Sequence, residues 1–401
     1  MTTRTVDALR SGDRGPAVAD VCDRLVITGD LPSRFATADR REMLYDGEVE
    51  QAVRAFQQRR GLIVDGIVGR ATFTILDGAR WQLGDRVLRY TPGRFLEGDD
   101  VVALQERLAG LGFSVAKVDG IHGPETDAAV RAFQTAVGLV SDGIVGPETM
   151  RAFDALRRSV RGGSANALRE REHLRQSGPS LAGRTIVLDP GHGGDDPGVI
   201  GPDGLTEASV ALGIAARIEG RLSAHGANVV FTHTGRTEGG SEEDRAAFAN
   251  ARDADLLLTL HSDHTNGTSG HGVATFFYGH RDHAGWSIIG ERFADLMLRE
   301  VVARTGLTDC RSHAQTWALL RRTRMPAVRL DYGYLTHPGD AALLAQPVVL
   351  DRMAEGVVVA LQRMYLGDAD VGQTGMLRLS DLRRHLEAMV ARKASGASSA
   401  G

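Results

Sequence analysis

Hydrophobic residues recur along this chain in two rhythms. Thr185-Ile186-Val187-Leu188 and Asp255-Leu256-Leu257-Leu258-Thr259-Leu260 are short, nearly uninterrupted apolar runs, and that pattern predicts buried strands. Between them, Val210, Ile214, Ile218 and Leu222 fall at every fourth position. This spacing predicts an amphipathic helix starting near Glu207, with Thr206 as its N-cap. The N-terminal part carries a different signal. Residues 52 to 57, Ala-Val-Arg-Ala-Phe-Gln, recur identically at 129 to 134, and the same offset of 77 relates Asp65-Gly66-Ile67-Val68-Gly69 to Asp142-Gly143-Ile144-Val145-Gly146. The chain therefore contains an internal duplication. In each copy Val and Phe share one helical face, and the Asp-Gly-Ile-Val-Gly run forms a tight turn into a last helix. Upstream, Val18, Val21 and Leu25 correspond to Val101, Leu104 and Leu108 at an offset of 83, so the first copy has the longer intervening loop.

After Leu366 the pattern becomes polar, through Gly367-Asp368-Ala369-Asp370-Val371-Gly372-Gln373-Thr374-Gly375. Leu379, Leu382, Leu386 and Met389 then share one face of a short amphipathic stretch, which reads as a hinge followed by a docking helix. Thr374 is the hydroxyl in this tail most accessible to a Ser/Thr kinase. An unmodified, inert linker is the alternative reading.

With 401 residues, 42% of them hydrophobic and 24% charged, the chain is long enough for two or three domains with real cores. A formal net charge of −4 gives no nucleic-acid or membrane footprint. The only lysines are Lys117 and Lys393, an arginine bias that fits a GC-rich genome better than a binding surface. No apolar leader follows Met1 and no transmembrane run appears later, while Cys22 and Cys310 fall in different predicted domains. The expectation is a cytoplasmic protein with two free thiols.

The chemistry concentrates in the second half. His192 follows the first strand in a Gly191-His192-Gly193-Gly194 loop, Glu207 opens the helix, and His261 ends the second strand. Two imidazoles and one carboxylate are the three protein ligands that a catalytic zinc needs if its fourth position is to stay open. Strand ends are also where α/β folds place their sites.

In order and context these residues resemble the zinc-dependent N-acetylmuramoyl-L-alanine amidases of the amidase-3 type, over residues 183 to about 366. The segments Arg245–Asn250 and Met325–Val328 contribute to the likeness. The duplicated units, with Leu104-Gln105 and the Asp-Gly-Ile turns, resemble the peptidoglycan-binding domain type 1, a three-helix module. The fold class expected is multidomain: two small all-α three-helix modules followed by an α/β amidase domain with a central, mostly parallel sheet. The expected boundaries are 7–84 and 92–158 for the repeats, 159–182 for a linker, 183–366 for the amidase domain and 367–401 for a regulatory tail.

The resemblance implies Zn2+ on His192, Glu207 and His261, peptidoglycan or a muropeptide precursor as partner, and hydrolysis of the amide between the muramoyl lactyl group and L-alanine. It also implies a general base at Asp331, where this chain departs from the family's Glu. One methylene fewer withdraws the carboxylate by about 1.5 Å, which weakens the expected turnover. The missing leader and Asp331 support an alternative. In that reading the chain is a cytoplasmic regulator of peptidoglycan precursor synthesis that uses the amidase fold to bind muropeptides or protein partners, among them cell-wall synthesis proteins and a Ser/Thr kinase.

Overall fold

The computed structural model describes residues 8–36, 40–156, 178–235, 239–263, 268–279 and 285–366, together with residues 172 and 174. The chain forms two compact units. One comprises residues 1–169 with 279–286 and 315–317, and the other residues 170–278, 287–314 and 318–401.

The first unit is helical. Its first repeat is built from α1 (Pro16–Ile27), α2 (Gly47–Arg60) and α3 (Arg70–Ala79), and its second from α4 (Asp99–Gly110), α5 (Pro124–Ala136) and α6 (Pro147–Leu156). Local signals fix the ends of these helices. Asp46 accepts from the backbone N–H groups of Glu48 and Val49 at the start of α2, and Gly61 ends that helix at φ 63°. The Val and Phe of the repeated motif are fully buried in both copies, Val53 and Phe56 in one and Val130 and Phe133 in the other. Each repeat has its own apolar core.

The glutamine after each Phe is equally buried, and its role is structural. Gln134 donates to Asp142 Oδ1 (2.8 Å), the Ile144 carbonyl (3.0 Å) and Thr149 Oγ1 (3.2 Å), and accepts from the Gly143 N–H (2.9 Å). Gln57 makes the same four bonds in repeat one, to Asp65, Ile67, Thr72 and Gly66. A third instance appears inside repeat two, where Gln105 serves Asp119, Ile121, Thr126 and Gly120. Each glutamine thus satisfies a tight turn that would otherwise bury unpaired backbone groups. The position in α1 equivalent to Gln105 is Cys22. The Tyr45 hydroxyl donates to the Gly66 carbonyl at 2.7 Å, adding a bond to the turn that Gln57 serves. The repeats meet through a bidentate Arg60–Asp99 pair (3.0 and 2.8 Å). They also meet at Gly78, where a Cβ would lie 2.9 Å from the Gly98 Cα.

The second unit is a six-stranded sheet in the order β2-β1-β3-β6-β4-β5. Its strands are β1 (Thr185–Pro190), β2 (Asn228–Phe231), β3 (Leu256–Asp263), β4 (Val273–Tyr278), β5 (Asp309–Gln315) and β6 (Ala327–Tyr334). Strand β1 runs parallel to β2 and β3, and β3 runs parallel to β6, whereas β4 is antiparallel to β6. The sheet is mostly parallel. The apolar runs at β1 and β3 are buried at every position from Ile186 to Pro190 and from Leu256 to Leu260, as parallel strands covered on both faces require.

Helix α7 (Glu207–Ala224) follows β1 and buries Val210, Ile214, Ile218 and Leu222. Thr206 caps it by accepting from the Ser209 N–H. Helix α8 (Glu242–Asn250) carries a Ser241/Asp244 capping box. Helices α9 (Ile288–Thr305) and α12 (Pro347–Tyr365) pack on one another, and α12 also packs on α7. A buried Glu300–Arg363 pair joins α9 to α12. Short helices α10 (Ala318–Arg322) and α11 (Pro338–Leu344) flank β6. Among the described residues, no helix is long and apolar enough to cross a membrane.

Candidate metal centre

The site forms where parallel strands β1 and β3 end and α7 begins. Beyond Pro190 the chain doubles back sharply. The Gly191 N–H donates to the Leu260 carbonyl at 2.7 Å, tying the end of β1 to the end of β3. A Cβ at position 191 would sit 2.5 Å from His261 Nδ1 and 2.7 Å from the Leu260 oxygen, so only glycine fits. His192 itself adopts φ 63°, a left-handed conformation that a non-glycine residue holds only when its surroundings impose it. On the opposite side, a Cβ at Gly198 would lie 2.6 Å from His192 Cδ2 and 2.8 Å from Glu207 Oε2. Backbone therefore closes around the three side chains.

These three converge. The candidate ligand atoms of His192, Glu207 and His261 all lie within 4.8 Å of one another. Glu207 is buried, with His192 Nε2 3.2 Å from its Oε2 and His261 Nδ1 3.1 Å from its Oε1. Backbone N–H groups of Ser262 (2.8 Å) and Val199 (3.1 Å) donate to the same carboxylate, one to each oxygen. Burial opposes the charge on Glu207, but the bonds from His192, His261 and Ser262 outweigh it and hold the carboxyl well below its ordinary range.

The two imidazoles are pushed apart. Hydrogen bonding to Glu207 acts against burial and, with Asp196, raises His192 to about 9. Burial lowers His261, and the nearby Arg329 charge adds to the fall. Burial thus favours the neutral, ligating form of His261, whereas the carboxylates around His192 favour its protonated form and oppose ligation. Asp196 Oδ2 lies 2.7 Å from His192 Nδ1, which turns Nε2 toward the cluster in the manner of carboxylates behind metal-bound histidines. An ionised carboxylate and two imidazole nitrogens that can converge on one point fit zinc by donor chemistry.

The cluster unites the three residues predicted as metal ligands but does not include Asp331. That residue is the register partner of His261 on β6 and is 2% exposed. Both its oxygens accept from Arg329, at 2.5 Å from Nε and 3.1 Å from Nη2. Thr374, with the rest of the polar tail, lies outside the described residues. Three supporting contacts went unread in the sequence. Asp196 carries the only prior signal, an acid four residues after a candidate ligand in a glycine-rich loop. The Ser262 N–H depends on strand register. The third is the fully buried Asp189, which pairs with Arg245 at 2.7 Å and accepts from Thr232 Oγ1 at 2.6 Å, bracing the loop from α8.

Sequence comparison assigns the chain that carries this sheet and this His-Glu-His cluster to a class of amidases. The profile of the N-acetylmuramoyl-L-alanine amidase family matches residues 186–363, and that of a peptidoglycan-binding domain matches residues 14–76 and 97–153. The N-acetylmuramoyl-L-alanine amidase CwlM of Mycobacterium tuberculosis is 45% identical over 388 residues, spanning 94% of this chain and 95% of that protein. The chain belongs to the N-acetylmuramoyl-L-alanine amidase family. The amidase LytC of Bacillus subtilis is 30% identical over 177 residues, which cover 44% of this chain and 34% of LytC. Among solved structures, an N-acetylmuramoyl-L-alanine amidase from Clostridium difficile 630 is similar at 28% identity and a TM-score of 0.43, covering 48% of this chain and all of that one.

Proposed function

We propose that the chain is a zinc-dependent N-acetylmuramoyl-L-alanine amidase that hydrolyses the muramoyl-lactyl to L-alanine amide of peptidoglycan, with slow turnover. The observation that carries this reading is the convergence of His192, Glu207 and His261 within 4.8 Å around an ionised carboxylate. These three residues would hold the metal, and Asp196 would orient His192. When bound, zinc supplies Lewis-acid polarisation of a carbonyl and acidifies water.

Asp331 is the proposed base, the one buried carboxylate placed beside His261 on the neighbouring strand. Its short side chain and its engagement by Arg329 limit its access to a proton, which is the physical ground for slow turnover. Digestion of a purified muropeptide by the zinc-loaded chain, read by mass spectrometry, tests the reading. Release of intact stem peptide supports it. No release at any zinc concentration overturns the enzymatic part.

The Arg329–Asp331 pair also favours a second reading, in which the fold binds muropeptides or protein partners as a cytoplasmic regulator of peptidoglycan precursor synthesis. Two unpaired cysteines, Cys22 and Cys310, suit a reducing compartment. In this reading residues 7–84 and 92–158 recruit the ligand, 159–182 link, 183–366 bind, and phosphorylation of Thr374 by a Ser/Thr kinase switches the 367–401 tail. Phosphopeptide mapping from cells and pull-down of cell-wall synthesis proteins with Thr374→Ala test it. An unmodified Thr374 and an unchanged set of partners would remove the switch.

A further inference from the structure

The two helical repeats close in the same way, with one difference. In repeat one, Leu9 bridges to Val68 and Arg14 bridges to Leu44, and the chain between the bridges is Arg10-Ser11-Gly12-Asp13. In repeat two, the equivalent bridges are Leu88 to Val145 and Glu97 to Ile121, and residues 89–96 lie between them. The longer segment is Arg89-Tyr90-Thr91-Pro92-Gly93-Arg94-Phe95-Leu96. Since the short turn already closes repeat one, the added residues are not needed to complete the module.

What was added has a built shape. The Arg94 N–H donates to the Thr91 carbonyl at 3.0 Å, and Gly93 sits at φ 73° after Pro92, the arrangement of a type II turn. Across this turn Tyr90 and Phe95 stack, with ring centroids 5.9 Å apart and planes at 22°. Phe95 is 41% exposed and the neighbouring Val87 54%. Arg89 and Arg94, each one residue before an aromatic, are exposed, and neither guanidinium has an ion-pair partner among the described residues. Both ends of the loop are pinned. Leu88 exchanges backbone bonds with Val145 (3.2 and 2.8 Å), and the His122 N–H donates to the Leu96 carbonyl (2.8 Å). The loop presents exposed aromatic surface and two unpaired cations on a fixed frame, so its ordering cost falls mainly on folding rather than on binding.

We propose that residues 89–95 form a binding surface for an anionic glycopeptide, a saccharide bearing a carboxylate-rich peptide. The stacked rings take the apolar face of a sugar ring, and Arg89 and Arg94 take carboxylates, to which guanidinium groups bind in bidentate fashion. Charge selects this ligand over a neutral glycan. The proposal rests on the peptidoglycan reading above and narrows it to one loop of one repeat.

Calorimetric titration of the full chain, with His192→Ala introduced to prevent turnover, tests it. The probes are a purified disaccharide-tetrapeptide muropeptide, the free tetrapeptide, a neutral N-acetylglucosamine oligomer, and vesicles rich in anionic lipid. Muropeptide binding is expected to exceed that of the neutral oligomer, and to weaken by about tenfold or more with Arg89→Gln plus Arg94→Gln or with Tyr90→Ala plus Phe95→Ala. A chain in which Arg-Ser-Gly-Asp replaces residues 89–96 should show the same weakening while keeping its melting temperature, which separates loss of the loop's contribution from loss of fold. If the muropeptide binds equally to all variants, the loop assignment falls while the peptidoglycan reading stands. If nothing but the vesicles binds, both fall.

Discussion

Replacing Asp331 by Glu tests the proposed base by changing its reach without changing its charge. The carboxylate of Asp331 is buried at the register position beside His261, and Arg329 occupies both its oxygens. One added methylene moves the carboxylate outward by about 1.5 Å. A misplacement of about 1 Å costs on the order of a hundredfold in rate where proton transfer requires contact, so Asp331→Glu should raise kcat by up to roughly that factor with KM little changed. Arg329 sets the opposing limit. If the longer side chain cannot keep its pair, the partly buried Arg329 guanidinium loses both bonds to this carboxylate and stability falls. The assay is hydrolysis of a soluble muropeptide by zinc-loaded protein, with kcat and KM separated, alongside a melting curve and zinc content for each variant. Asp331→Ala is the floor. Equal kcat for wild type, Asp331→Glu and Asp331→Ala, with zinc content unchanged, would refute Asp331 as the base.

Other outcomes follow from the same structure. Gln134→Leu leaves the buried Gly143 N–H without its acceptor, while the Ile144 carbonyl keeps the Thr149 hydroxyl as donor; at about 1–3 kcal/mol for one orphaned group, repeat two should melt a few degrees earlier, and an unchanged denaturation curve would contradict the role given to the network. In metal-free protein, His192 is raised to about 9, so its pairing with Glu207 stabilises fully below the ordinary histidine pKa and is lost as pH rises toward 9. Zinc binding has the opposite sign, because the ligand must be deprotonated. Its affinity should climb from pH 6 to pH 9 with proton release, and a pH-independent chelator competition would count against this. Thiol alkylation followed by mass spectrometry should label Cys310 well before Cys22, whose thiol is fully buried and pushed up to about 12 by burial and the neighbouring Asp23; equal rates would contradict the burial of α1.

Much of this architecture was legible because its signals are local. The four-residue spacing of Val210, Ile214, Ile218 and Leu222 and the cap at Thr206 specify α7 without reference to the rest of the fold, and the recurrence of Ala-Val-Arg-Ala-Phe-Gln exposes the duplication. The three candidate ligands were legible because each stands at the end or start of such an element. What stayed hidden depends on register and closeness in space. Arg329 and Asp331 are two apart on one strand, so they share a face, but only the sheet shows the guanidinium taking both carboxylate oxygens. Gln57, Gln105 and Gln134 look like polar surface in a helical pattern, and become core residues only when the turns they serve fold back on them. Gly191 and Gly198 read as loop glycines, whereas the structure shows backbone pressed against His261 and His192.

The central claim is that His192, Glu207 and His261 form a single metal site, and zinc stoichiometry tests it most directly. Full-length chain purified from zinc-supplemented cells, with its His192→Ala and Glu207→Ala variants, would be measured by elemental mass spectrometry, with anomalous scattering to locate the metal. The account predicts one zinc per chain, at about 2.0–2.2 Å from each ligand atom, and its loss in both variants. A zinc-free wild-type protein, or a full equivalent of zinc retained without His192 and Glu207, would contradict it.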